Sequence, residues 1–123
     1  MPSTHTLLLF FVASAGLVAI PGALTPTEVL VAAEQGADAV KLFPARAVSP
    51  AHVADLRAVL PDVPLVATGG LRIADGSARA WLDAGALAVG LGGDLGTVAR
   101  DGADAVRARA RAALDATTGG RSR

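Results

Sequence analysis

Four short apolar runs recur at nearly even intervals along this chain of 123 residues. They are LVAI at 17–20, AVKLF at 39–43, PLVAT at 64–68 and LAVGL at 87–91, with starts 22, 25 and 23 residues apart. That interval holds a strand, a helix and two short connections, and it is too long for hairpins. The runs are apolar almost throughout, as expected of parallel strands covered on both faces.

A helical pattern follows each run. TPTE at 25–28 offers Thr25 as N-cap, Pro26 at the first helical position and Glu28 to close a capping box. Val29, Leu30 and Ala33 then form a stripe that Gly36 ends. Ser49 and Pro50 open a second helix carrying Val53, Leu56, Val59 and Leu60, which Pro61 stops. A third helix is expected over about 75–84, with Ala78, Trp81 and Leu82, ending at Gly85. A fourth is expected over about 97–115, with Val98, Val106, Ala110 and Leu114. Gly-Ala-x-Ala-Val occurs at 36–40 and again at 85–89, so one compact helix-to-strand turn is used twice. Strand and helix alternating through short loops imply parallel strands and right-handed crossovers. A small doubly wound sheet and a piece of a barrel both meet this description. A whole (β/α)8 TIM barrel takes about 200 residues or more. The expected fold is therefore α/β, a partial TIM barrel of about four βα units.

Residues 7–24 contain no charge, which raises the question of a membrane span or signal peptide. MPSTHT at the start has no Lys or Arg, and Gly16, Pro21 and Gly22 interrupt the run. The expectation is a buried segment whose second half is a strand. Eleven basic residues balance eleven acidic ones, so neither nucleic acid nor an acidic membrane is an expected partner. Arg107, Arg109 and Arg111 read as a solvated helix face. The absence of cysteine excludes disulfides and thiolate chemistry. His5 and His52 have no companions at metal-ligand spacing, so no metal site and no cofactor are expected.

The chain has one lysine among ten arginines, and it lies inside the second run. Alternation puts Ala39, Lys41 and Phe43 on one strand face and Val40 and Leu42 on the other. If Val40 and Leu42 meet helices, Lys41 faces inward near the C-terminal end of its strand, where barrels carry their chemistry. Partial removal from water disfavours the charged amine, and a neutral amine can form a Schiff base with a ketone. Arginine, always protonated, cannot. The competing reading is a lysine that snorkels to the strand end or pairs with Asp38. TGG at 68–70 and GLGG at 90–93 follow the third and fourth runs, and exposed amides in such loops bind phosphate.

IPGALTPTE (20–28), GADAVKLFPA (36–45), LVATGG (65–70) and AGALAVGLGGDL (84–95) resemble the C-terminal half of the 2-keto-3-deoxy-6-phosphogluconate aldolases. This class I family includes the 4-hydroxy-2-oxoglutarate aldolases. The resemblance covers about residues 16–115. It leaves 1–15 as a divergent or scar-like segment and 116–123 as a flexible tail. It implies that Lys41 is the Schiff-base lysine, that Phe43 and Thr68 contact substrate, and that Pro21 and Gly22 end an earlier active-site strand. Gly69, Gly70, Gly92 and Gly93 match the phosphate-binding loops. The family commonly has Glu where Arg46 stands, Pro where Ala67 stands and Ser where Gly93 stands. Its first four strands, with the general-base Glu and the Arg and Thr that hold the pyruvate carboxylate, match no residues here.

The resemblance implies a carbon–carbon lyase. It would cleave 2-dehydro-3-deoxy-6-phosphogluconate, or a related 2-keto-3-deoxy or 4-hydroxy-2-keto acid, to pyruvate and an aldehyde. The family's setting implies a cytoplasmic protein, and its habit of forming trimers implies a homo-oligomer. Activity is expected to be impaired by truncation. The alternative is a non-catalytic half-barrel that binds small phosphates or self-associates. Another phosphate-binding barrel enzyme, such as an isomerase, would leave Lys41 unexplained.

Overall fold

The computed structural model describes residues 4–118. Its elements run α1 (Thr4–Ser14), β1 (Gly22–Ala23), α2 (Pro26–Glu34), β2 (Val40–Leu42), α3 (Pro50–Val59), β3 (Leu65–Thr68), α4 (Ser77–Asp83), β4 (Ala88–Gly90), α5 (Val98–Asp101) and α6 (Ala103–Thr118). The four strands form one sheet in the order β1-β2-β3-β4, every pair parallel. A strand–helix–strand path between each neighbouring pair makes this the expected partial barrel of four βα units.

The core lies between one face of the sheet and its helices. Val40 and Leu42 of β2 and Leu65 and Ala67 of β3 are buried there against Val29 and Ala32 of α2, Val53 and Leu56 of α3, and Trp81 of α4. The helix signals that depend on neighbours in sequence are met. Thr25 Oγ1 accepts from the Glu28 amide at 3.3 Å, and the Glu28 carboxylate accepts from the Thr25 amide at 2.9 Å, completing the capping box. Ser49 is the N-cap of α3, although its side chain makes no capping bond. Gly36 and Gly85 both take positive φ at the turns into β2 and β4.

The stripes shift in detail. Val29 and Ala32 are the buried residues of α2, while Leu30 is exposed. Val59 of α3 and Leu114 of α6 are also exposed. The helix expected over 97–115 is two helices, separated at Gly102, and the second continues to Thr118. Residues 119–123 of the expected tail lie outside the described residues.

The N-terminal expectation is corrected. The uncharged stretch begins with helix α1, and the first strand is Gly22–Ala23 rather than 17–20. Pro21 has no amide to donate to a ladder, which moves the paired strand beyond it. The backbone up to it still bonds to the segment leading into and through β2: the carbonyls of Ala19 and Pro21 accept from the amides of Asp38 and Lys41 at 2.9 and 2.8 Å. Nor is the stretch buried. Leu9 and Ala19 are, but Leu8, Phe11, Leu17 and Val18 are exposed. Among the described residues no helix is long and apolar enough to cross a membrane.

Candidate active site at the open face of the sheet

Paired residues on parallel strands point to the same side of the sheet. Gly22, Lys41, Val66 and Ala88 therefore form one row on the face away from the helices, because each is the register partner of the next. Thr68 and Gly90 form the next row toward the C-terminal ends. Val40 and Leu42 anchor β2 in the core, which fixes the direction of Lys41 between them. The inward placement expected from alternation is thus observed.

Lys41 is half-buried, with its Nζ 5.3 Å from the centre of the Phe43 ring. A cation at that distance is attracted to the ring quadrupole. A Cβ built on Gly22 would lie 3.5 Å from Lys41 Cε, so the glycine gives the lysine stem room at ordinary contact. The Lys41 amide donates to the Pro21 carbonyl, tying the two strand ends together. The ammonium makes no hydrogen bond or ion pair among the described residues. Asp38 is not its partner, since its Oδ2 accepts from the Ala19 amide at 2.7 Å. His52 is also engaged elsewhere, with Nε2 2.7 Å from the Leu24 carbonyl oxygen.

The first glycine loop packs against the segment that follows Lys41. Phe43 leads through a cis peptide bond into Pro44 and a short 3-10 turn, Ala45–Ala47. The Arg46 amide donates to the Gly69 carbonyl at 2.9 Å, so the loop after β2 is fastened to the loop after β3. Gly69 has φ +100°, and a Cβ there would come within 3.0 Å of Pro44 Cα and 2.9 Å of the Phe43 ring. Gly70 has φ +81°, and a Cβ there would meet Arg46 Cβ at 2.8 Å. Both positions need glycine for conformation and for space.

The loops after β3 and β4 are joined at two points. Thr68 Oγ1 donates to the Gly90 carbonyl at 3.1 Å, and the Ile73 amide donates to Asp94 Oδ2 at 2.6 Å. Gly92 and Gly93 lie at the start of a 3-10 turn and are exposed, with open space where a side chain would stand. The amides of Gly69, Gly70, Gly92 and Gly93 donate to no group among the described residues. Unpaired amides in two adjoining loops are suited to an anion.

The structure thus brings Pro21, Gly22, Lys41, Phe43, Thr68, Gly69 and Gly70 together, and it ties the Gly92–Gly93 loop to them through Gly90 and Asp94. Asp94 and the stem of Arg46 are the additions that sequence reasoning missed. Arg109 also departs from the solvated-face reading. Its Nη1 reaches the Leu95 carbonyl at 3.1 Å and the Asp101 carboxylate at 3.2 Å, holding α6 to the loop after β4. No cluster of groups able to hold a metal ion occurs among the described residues.

Residues 4–108 match the family model described as KDPG and KHG aldolase. The match begins inside the 1–15 segment. The chain is 38% identical over 95 residues to a 2-dehydro-3-deoxy-6-phosphogalactonate aldolase of Escherichia coli (strain K12), covering 76% of this chain and 45% of that protein. It is 37% identical over 123 residues to a probable 2-dehydro-3-deoxy-6-phosphogalactonate aldolase of Rhizobium meliloti (strain 1021), covering 97% of this chain and 57% of that one. The chain spans about half the length of these curated relatives. A solved structure described as native KDPGal superposes with a TM-score of 0.83 at 32% identity, over 94% of this chain and 55% of the other. On the family match and these identities, the chain belongs to the KDPG and KHG aldolase family.

Proposed function

We propose that the chain carries the Schiff-base part of an aldolase site and acts on a 2-keto-3-deoxy sugar acid phosphate. The observation that carries this reading is the unpaired Lys41 amine on the open sheet face beside Phe43, whose ring packs against the first of two joined loops of free amides. The relatives named above favour 2-dehydro-3-deoxy-6-phosphogalactonate or its gluconate epimer as substrate.

In this reading the Lys41 amine adds to the C2 ketone, and the resulting carbinolamine takes up a proton from solvent and loses water to give a protonated imine. A proton leaves the C4 hydroxyl, the C3–C4 bond breaks, and its electrons move into the imine to form an enamine. The C4 fragment departs as an aldehyde carrying the phosphate. Protonation at C3 and addition of water release pyruvate and restore the amine. Phe43 and Thr68 would line the substrate, Pro21 and Gly22 would border the lysine, and Gly69, Gly70, Gly92 and Gly93 would hold the phosphate. Asp38 and His52 are each engaged with backbone groups, so neither is assigned the proton transfers. A general base contributes typically about 10²–10⁴-fold, and imine formation can outlast its loss. The reaction fits a cytoplasmic enzyme of sugar-acid breakdown, working as a homo-oligomer.

A second reading has its own observation. The Lys41 face is open and the chain spans half of its relatives, which suits a non-catalytic half-barrel that binds small phosphates or self-associates. Pyruvate release from 2-dehydro-3-deoxy-6-phosphogalactonate separates the two. Release by the chain, abolished in Lys41→Arg, supports the aldolase. Binding of the phosphorylated acid with release no faster than in Lys41→Arg supports the second reading.

A further inference from the structure

We infer that Arg46 is a substrate-anion ligand, supplying a positively charged side chain beside the Gly69–Gly70 pair. This inference rests on the reading of those loops as a phosphate site and adds to it a residue that neither the family match nor the relatives assign.

The Gly69–Gly70 and Gly92–Gly93 pairs themselves offer only backbone donors, and Asp94, which follows Gly93 in the chain, adds negative charge to the second loop. A dianion held there by amides alone would lack a formal counter-charge. The position of Arg46 is fixed at three points. Its amide donates to the Gly69 carbonyl, it stands in the middle of the 3-10 turn Ala45–Ala47, and its stem lies against Gly70. A Cβ on Gly70 would be 2.8 Å from Arg46 Cβ and 2.9 Å from Arg46 Cδ, so the last carbon before the guanidinium already lies over the glycine loop.

That guanidinium is exposed and makes no hydrogen bond or ion pair among the described residues. Arg79, Arg100, Arg107 and Arg109 hold carboxylates; Arg57, Arg72 and Arg111 also form no such ion pair among the described residues, but Arg46 is the one whose stem lies against Gly70. The planar fork of arginine matches a phosphate bidentately, and charge-assisted bonds are about twice as strong as neutral ones. Gly70 is therefore small for two reasons: its backbone turn, and the passage of the arginine stem. The ligand class is a phosphate dianion, with the phosphate carried on the aldehyde half of the substrate.

The test is titration of the full chain with inorganic phosphate, read by calorimetry at fixed ionic strength. Arg46→Glu is expected to raise the dissociation constant at least tenfold, and Arg46→Lys to raise it less. Arg72→Glu makes the same charge change two residues beyond Gly70 and is expected to stay within about threefold of wild type. Equal affinity in wild type and Arg46→Glu, with matching circular dichroism and melting temperature, would overturn the inference. So would equal losses in Arg46→Glu and Arg72→Glu, which would mean a diffuse field rather than a ligand. Covalent trapping of pyruvate on wild-type Lys41 is measured separately. If trapping fails while phosphate binding depends on Arg46, the aldolase reading falls and the Arg46 assignment stands.

Discussion

Thr68 Oγ1 donates to the Gly90 carbonyl at 3.1 Å, and the same hydroxyl oxygen would lie 2.7 Å from a Cβ built on Gly90. The bond and the missing side chain are one arrangement: Thr68 fills the space that any residue but glycine would take. It couples the residue expected to face substrate to the strand that leads into the second glycine loop.

Gly90→Ala is accordingly expected to destabilise the fold by about 1–3 kcal/mol, as overpacking does. Gly90 does not have positive φ, so the cost reports crowding rather than backbone conformation. Thr68→Gly removes both atoms that crowd the site. Denaturant melts of the single and double variants are expected to show Gly90→Ala costing less in the Thr68→Gly background. Simple additivity would mean that the two positions do not meet.

The two glycine loops are expected to respond differently to alanine. Gly69 combines φ +100° with a Cβ approach of 3.0 Å to Pro44 Cα, which is backbone and cannot swing aside. Gly69→Ala is expected to cost more than about 1 kcal/mol. Gly92→Ala meets nothing within 4 Å and is expected to change stability by less than about 0.5 kcal/mol. Thermal melts of the two variants check this ordering.

Acid is expected to loosen the helix starts before it reaches the core. The amides of Thr25 and Leu24, then the Thr25 hydroxyl, hold the Glu28 carboxyl below its ordinary value of 4.5. The Arg100 guanidinium, then the Thr97 amide, hold Asp101 below its ordinary 3.8. A carboxyl depressed in the folded state contributes stability that is fully present above its unfolded value and is lost as pH falls through the folded one. The melting temperature is therefore expected to be insensitive to Glu28 near neutrality and to fall from about pH 4.5 downward. Glu28→Gln is expected to flatten that fall. Thr25→Ala, which removes the other half of the box, is expected to cost about 1 kcal/mol at pH 7.

What could be read from sequence followed the range of the interaction. The capping box at Thr25 and Glu28 spans three residues and was fully legible. The runs at 39–43 and 64–68 each enclose the observed strand to within a residue, because both ends of each strand are set by local signals. Residues 7–24 were not legible. Without charges or a clear period, the stretch fits a strand, a span or a helix equally well, and α1 ends where Gly16 takes positive φ. Gly102 was the available sign that 97–115 would break. At the site, alternation placed Lys41 correctly because Val40 and Leu42 are fully buried beside it. The stem of Arg46 on Gly70 and Asp94 on the Ile73 amide join loops that meet only in three dimensions, and no spacing in the chain announces them.

Reductive trapping at Lys41 bears most directly on the Schiff-base reading. The folded chain is incubated with pyruvate and borohydride, digested, and mapped by mass spectrometry. Since Lys41 is the single lysine, the expected result is one stable Nζ-(1-carboxyethyl) adduct, on the peptide containing Lys41, absent from Lys41→Arg. Folded protein that gives no adduct at Lys41, at pyruvate concentrations that label a known Schiff-base aldolase, would contradict it.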